Sequence, residues 1–172
     1  MRAPALAFSG LARQLARLAR NQSGAALVEF TIVALPFFIL LFGIAEIGLV
    51  YWGNKELENA TNDAARMVRT GQVQNGAMSA AALKALACSR TALLVDCNAR
   101  LRLDVRSAAQ FGDIVPPEPR NADGRLKDDD DFSYAPGSAD EVALITAYYE
   151  WPGFFQGPYL LQAAAPVRNE PF

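Results

Sequence analysis

FTIVALPFFILLFGIAEIGLVYW, residues Phe30–Trp52, decides how the rest of this 172-residue chain must be read. Every position in it is apolar or small except Thr31 and Glu46. A helix that crosses a bilayer needs about 20 such residues, so the stretch is long enough to span. A cleavable secretory signal instead has an apolar core of about 7 to 15 residues and then a small-x-small site, and neither description fits. The segment is expected to remain in the protein as its one transmembrane helix.

The flanks give it a direction. The first 28 residues contain no acid and carry Arg2, Arg13, Arg17 and Arg20, whereas Lys55 is the only base between Gly53 and Ala65. Basic residues stay on the cytoplasmic side, which places the N-terminus there and the chain beyond about residue 53 outside. The formal net charge of -2, with acids gathered after residue 55, excludes a generally basic nucleic-acid binder. At roughly 100 to 200 residues per domain, the length accommodates an anchor and one modest folded domain.

Upstream of the span, Leu11, Leu15 and Leu18 recur at helical spacing, with Arg13, Arg17 and Arg20 on another face. Residues 1–24 read as a basic leader, either an amphipathic interfacial helix or an ordinary charged flank. Asn21 to Gly24 breaks the pattern with polar and small residues, the kind of extended stretch a protease can bind. Within the span, Pro36 removes one helical hydrogen bond and predicts a kink in a helix that continues. Gly43, Ala45 and Gly48 leave small surfaces for another helix, although ordinary membrane-helix composition explains them equally well.

Downstream, Leu57, Ala60, Ala64 and Met67 keep helical spacing, and Gly71 supplies a residue suited to ending the helix. One helix over 25–70, with its transmembrane part at 30–52, is therefore expected. At 1.5 Å per residue it would be about 70 Å long against a hydrocarbon core of about 30 Å, so about half must protrude.

Residues 71–172 read as an α+β domain. Ser79 to Ala87 is rich in alanine and leucine and predicts a second helix. Leu101, Leu103 and Val105 alternate with Arg100, Arg102, Asp104 and Arg106, the pattern of a half-buried strand. Val142 to Tyr149 is apolar on both faces and predicts a more buried strand, paired antiparallel with the first. Between them, 114–136 holds Pro116, Pro117, Pro119, Gly124 and the acid run Asp128 to Asp131, and reads as a long exposed loop. The acid run lacks the alternating ligands of a calcium loop and reads as solvated surface. Trp151, Phe154, Phe155 and Tyr159 form an aromatic cluster expected to pack as core or lid, and the apolar run Tyr159 to Ala165 predicts a turn and one short helix.

Chemistry is sparse. There is no histidine, which removes the commonest general base and metal ligand, and no phosphate loop or nucleophile elbow. No enzyme activity, cofactor or metal is expected. Cys88 and Cys97 are the only cysteines. In an oxidising compartment so close a pair reads as a local disulfide, and the competing zinc site would be incomplete without histidine.

Glu29 and Glu46 are the acids of the membrane region. Glu46, near the outer edge, is expected to snorkel to water. Glu29 lies at the cytoplasmic lip, where a carboxylate needs a cation, water or neutralisation. A cut after Gly24 would give Ala25 a new ammonium group four residues, one helical turn, before Glu29. That ammonium, or one from a neighbouring subunit displaced along the axis, would pair with Glu29 and set register between packed helices. The alternative is a snorkelling interfacial glutamate.

These residues resemble a family. Gly24-Ala25-Ala26-Leu27-Val28-Glu29-Phe30, then Pro36 among apolar residues, then Leu57-Glu58-Asn59-Ala60 and Asp63-Ala64-Ala65-Arg66, are similar to TadE-like proteins, pseudopilin components of the tight-adherence (Flp) pilus, a relative of type IV pili. The resemblance covers about Gly24 to Arg66, and Arg69 to Gln74 and the cysteine pair agree with it. It implies a pilin-like protein of the bacterial inner membrane with a periplasmic domain, cut by a prepilin peptidase between Gly24 and Ala25, with Glu29 as the pilin-type glutamate. Its implied partners are the membrane, that peptidase, other pilins or pseudopilins and the assembly platform, and no nucleic acid. The domain is far bulkier than that of a major Flp pilin, which implies a minor component that primes or caps the fibre at its base or tip. The alternative is an uncleaved membrane-anchored scaffold that recruits secretion or pilus components.

Overall fold

The computed structural model describes residues 23–154 and 157–172. Residues 1–22 of the expected leader, with its interfacial helix over residues 11–20, and the aromatic Phe155 lie outside the described residues. The long helix α1 spans Ser23–Arg69 and contains Pro36 without interruption. The chain divides into two compact units at residues 45 and 46.

In the first unit, the side chains of α1 are almost all exposed: Leu27 is 68% and Val33 70% accessible. An apolar surface with nothing against it in water would be costly, and it suits a lipid environment. Here α1 is the one helix among the described residues long and apolar enough to cross a membrane. The polar Thr31 hydroxyl is satisfied within the helix, donating to the Leu27 carbonyl at 2.7 Å, so it costs the apolar surface little.

The second unit builds its core on the other half of α1. Leu57, Ala60, Ala64 and Val68 are buried at 4% or less, a stripe at helical spacing that faces the sheet. Arg69 ends the helix, and Gly71 takes a left-handed φ of 72° that a residue with a Cβ adopts poorly. Short helices follow: α2 (Gln72–Asn75), α3 (Ala80–Ser89) and α4 (Cys97–Arg100). The Ser79 hydroxyl caps α3 by accepting the Ala82 N–H at 3.2 Å.

Strands β1 (Leu101–Ala108), β2 (Val142–Trp151) and β3 (Tyr159–Arg168) form one antiparallel sheet in the order β1-β2-β3. Register aligns apolar rows across one face: Leu101 with Tyr149 and Leu161, Leu103 with Ala147 and Ala163, Val105 with Ile145 and Ala165. These rows and the α1 stripe belong to one buried cluster. Strand β3 corrects the expectation of a short helix there. Alanine favours helix locally, yet Leu161, Ala163 and Ala165 are buried while Gln162, Ala164 and Pro166 are exposed, a period of two. Ten registered pairs with β2 outweigh an intrinsic preference of less than about 1 kcal/mol per residue.

The long connection 109–141 also does more than cross solvent. Its tip at 121–125 is exposed, but Phe132 lies 5.4 Å from the Tyr148 ring, and Tyr148, Thr146 and Asp104 are each 1% accessible on the sheet's second face. This cover explains why β2 is apolar on both faces. The segment 133–135 pairs with the outer edge of β1, Val105 donating to the Ser133 carbonyl and Ala135 to that of Val105, both at 2.8 Å. Asp104 fastens it, accepting the Ser133 N–H and the Arg106 guanidinium, also at 2.8 Å. The edge is thereby covered at Val105, where it would otherwise offer a free amide and carbonyl.

Candidate functional site

The residues singled out at the helix start belong to the first unit. Gly24, Ala25 and Glu29 lie in the first turns of α1 and are exposed. Nothing lies within 4 Å of where a Gly24 Cβ would be, so the backbone there is open to approach. Ala25 and Glu29 are one turn apart on the same helical face. No hydrogen bond or ion pair engages the Glu29 carboxylate among the described residues, which leaves it available to a group from elsewhere.

In the second unit, Glu46 departs from expectation. It is 5% accessible, and its Oε1 accepts the Phe154 N–H at 2.7 Å. It does not snorkel, because the turn after β2 reaches it first. Two helical turns further on, the missing side chain of Gly53 makes room for the Trp151 indole; a Cβ there would fall 2.5 Å from Cζ3. Trp151 in turn meets the Tyr149 ring edge-on at 6.3 Å. The end of β2 is thus fastened to α1 at two points seven residues apart on one face.

A third attachment lies one turn beyond. Glu56 Oε2 accepts the N–H groups of Ala92 and Leu93 at 3.0 and 2.8 Å, holding the loop between α3 and α4. The Tyr149 hydroxyl donates to the Val95 carbonyl in that loop at 2.6 Å. Burial raises the Tyr149 pKa above its ordinary 10.0; the Arg100 charge opposes this and that of Asp96 adds to it. The Cys88 and Cys97 sulfurs are bonded across the base of the loop, with Cα atoms 5.6 Å apart. Helix, sheet and disulfide therefore converge on residues 88–97.

The acid run is partly engaged. Asp129 receives Lys84 at 2.7 Å and lies 3.7 Å from Arg102, which is 3.9 Å from Asp128. Lys84 and Asp129 edge a cavity of about 580 Å³ that Leu103, Phe132 and Tyr134 also line. Its one lysine is already neutralised by Asp129, so it offers an anion little. Among the described residues no group of three His, Cys, Asp or Glu could hold a metal ion.

The helix-start residues belong to the first unit and these attachments to the second. Sequence reasoning found the first set through residue type and missed the second. One signal was available: Glu46, Val50, Gly53, Leu57, Ala60 and Ala64 follow one another at alternating spacings of four and three, which extends the buried stripe back to Glu46.

Residues 24–66 match the family model described as TadE-like protein. No curated relative and no solved structure matches the chain significantly. The match lies within α1 and takes in Gly24, Glu29, Glu46 and Gly53 together. It associates the chain with the tight-adherence pilus and, with the apolar helix, with a membrane.

Proposed function

We propose that this chain is a minor pseudopilin of a tight-adherence pilus, cut by a prepilin peptidase between Gly24 and Ala25 and helping to prime or cap assembly. It is a structural subunit, anchored in the bacterial inner membrane with its N-terminus cytoplasmic and its α+β domain periplasmic. Its partners are the peptidase, other pilins or pseudopilins and the assembly platform. The observation that carries the reading is the family match over 24–66, which begins at Gly24, an exposed position of α1 where no described residue lies within 4 Å of an added Cβ. A residue without a side chain lets the backbone enter a narrow protease cleft. Glu29, with no hydrogen bond or ion pair among the described residues and at the lip of an apolar helix, is suited to receive the ammonium of Ala25 from this or a neighbouring chain.

A minor position follows from bulk. The domain covers one face of α1 from Glu46 onward, which restricts how closely neighbours can pack along that half. Mass spectrometry of the protein extracted from membranes tests the processing step. Ala25 is expected as the first residue; retention of Met1 would make the chain an uncleaved scaffold.

A further inference from the structure

We propose that the turn after β2 docks on the lipid of the periplasmic leaflet through Phe154, held at that depth by Glu46. The inference rests on the reading of α1 as a membrane-crossing helix. Phe154 is 75% exposed although its own amide is tied to Glu46 at 2.7 Å, so the ring projects from a fixed point. On the same stretch of α1, Ile47 is 70%, Tyr51 65% and Trp52 60% exposed. Tyr and Trp mark the boundary between hydrocarbon and water on membrane helices. Glu46 precedes Trp52 by six residues, about 9 Å along the axis toward the hydrocarbon. The Phe154 amide lies within one side chain's reach of that level, which matches the depth of about 5 to 10 Å at which interfacial segments sit.

Polar satisfaction points the same way. In water, neither a glutamate carboxylate nor a turn amide needs a protein partner. At the edge of hydrocarbon both do, and here each meets the other's requirement. The Trp151 indole against Gly53 fixes the strand that delivers the turn. The Phe154 ring is thus an exposed apolar group at the level of Glu46, like Ile47 next to it in sequence, and lipid is the occupant that covers both.

The full-length protein in phosphatidylcholine vesicles brominated in the upper acyl chain tests this through tryptophan quenching. F154W in a W52F background, with its emission taken as the difference from W52F alone, is expected to be quenched about twofold relative to unbrominated vesicles, as interfacial burial requires. Trp52, with its emission taken as the difference between the unaltered chain and W52F so that Trp151 cancels, is the reference for helix insertion. Quenching of Trp52 without quenching of the F154W indole overturns the docking alone, whether acrylamide reaches that indole or a protein contact shields it. Absence of quenching at both positions overturns the membrane reading itself. In the same background, E46A removes the acceptor for the Phe154 N–H and should lower the quenching of F154W, whereas E46Q, which keeps an acceptor, should retain it; equal quenching in the two overturns the role of Glu46.

Discussion

Gly53 and Trp151 compete for one space: the Cβ that Gly53 lacks would lie 2.5 Å from the indole Cζ3, in a region where Trp151 is only 6% exposed. Gly53→Ala would gain up to about 1 kcal/mol of helix propensity and lose about 1 to 3 kcal/mol to overpacking. The clash wins, and a lower thermal midpoint of the detergent-solubilised protein is expected. Gly48→Ala, with nothing within 4 Å, should not lower it. Equal effects of the two substitutions would contradict the packing.

Glu56→Ala leaves the amides of Ala92 and Leu93 without their acceptor. A cost of about 1 to 3 kcal/mol is expected, because these are charge-assisted bonds and one is partly buried. Faster hydrogen exchange confined to residues 89–96 reports the change. Exchange altered throughout the sheet would show that Glu56 supports the whole domain instead.

Replacing both Cys88 and Cys97 by serine opens the covalent loop and is expected to destabilise the domain by about 2 to 3 kcal/mol on loop-entropy grounds. Denaturant unfolding measures it. The accompanying chemical test is thiol labelling of the protein isolated from membranes: efficient labelling without reductant would contradict the bond.

Glu29→Ala removes an exposed side chain that makes no hydrogen bond or ion pair with any described residue, so the fold and membrane insertion should be unaffected while pilus assembly falls sharply. Membrane fractionation and surface pilus counts separate the two. Loss of insertion would make Glu29 a targeting residue.

Tyr134, Tyr148 and Tyr149 all have pKa values raised by burial. The folded state holds these protons more tightly than the unfolded chain, so the stability they contribute is complete below the ordinary value of 10.0 and is lost as pH climbs through the higher folded values. Unfolding midpoints should therefore fall at alkaline pH. Tyr149→Phe should cost about 1 kcal/mol near neutrality, from the lost bond to Val95, and flatten part of the alkaline decline. An unchanged alkaline slope in Tyr149→Phe would show that Tyr149 does not carry it.

The parts of the fold legible in the sequence are those specified locally. The apolar run, the stripe Leu57-Ala60-Ala64, Gly71 at the helix end and the alternation of Leu101, Leu103 and Val105 each encode a period or a backbone angle within a few residues. Gly24 and Glu29 were singled out for a similar reason, since a small-residue break and an acid at the lip of an apolar run are themselves local features.

Other elements depended on partners distant in sequence. Ala163 to Ala165 have a helical preference, and only pairing with β2 made them a strand. The run 109–141 looks like exposed loop by composition, and only its contacts with Tyr148 and β1 show it as the cover of the sheet. By itself the sequence determined a single long helix and an α+β domain, because periodicity and residue type act over a turn or a strand. Only the tertiary structure decided the fate of Glu46, whose hydrogen-bond donor lies 108 residues away. A buried carboxylate accepts whichever amide the fold delivers, and no local pattern names that amide.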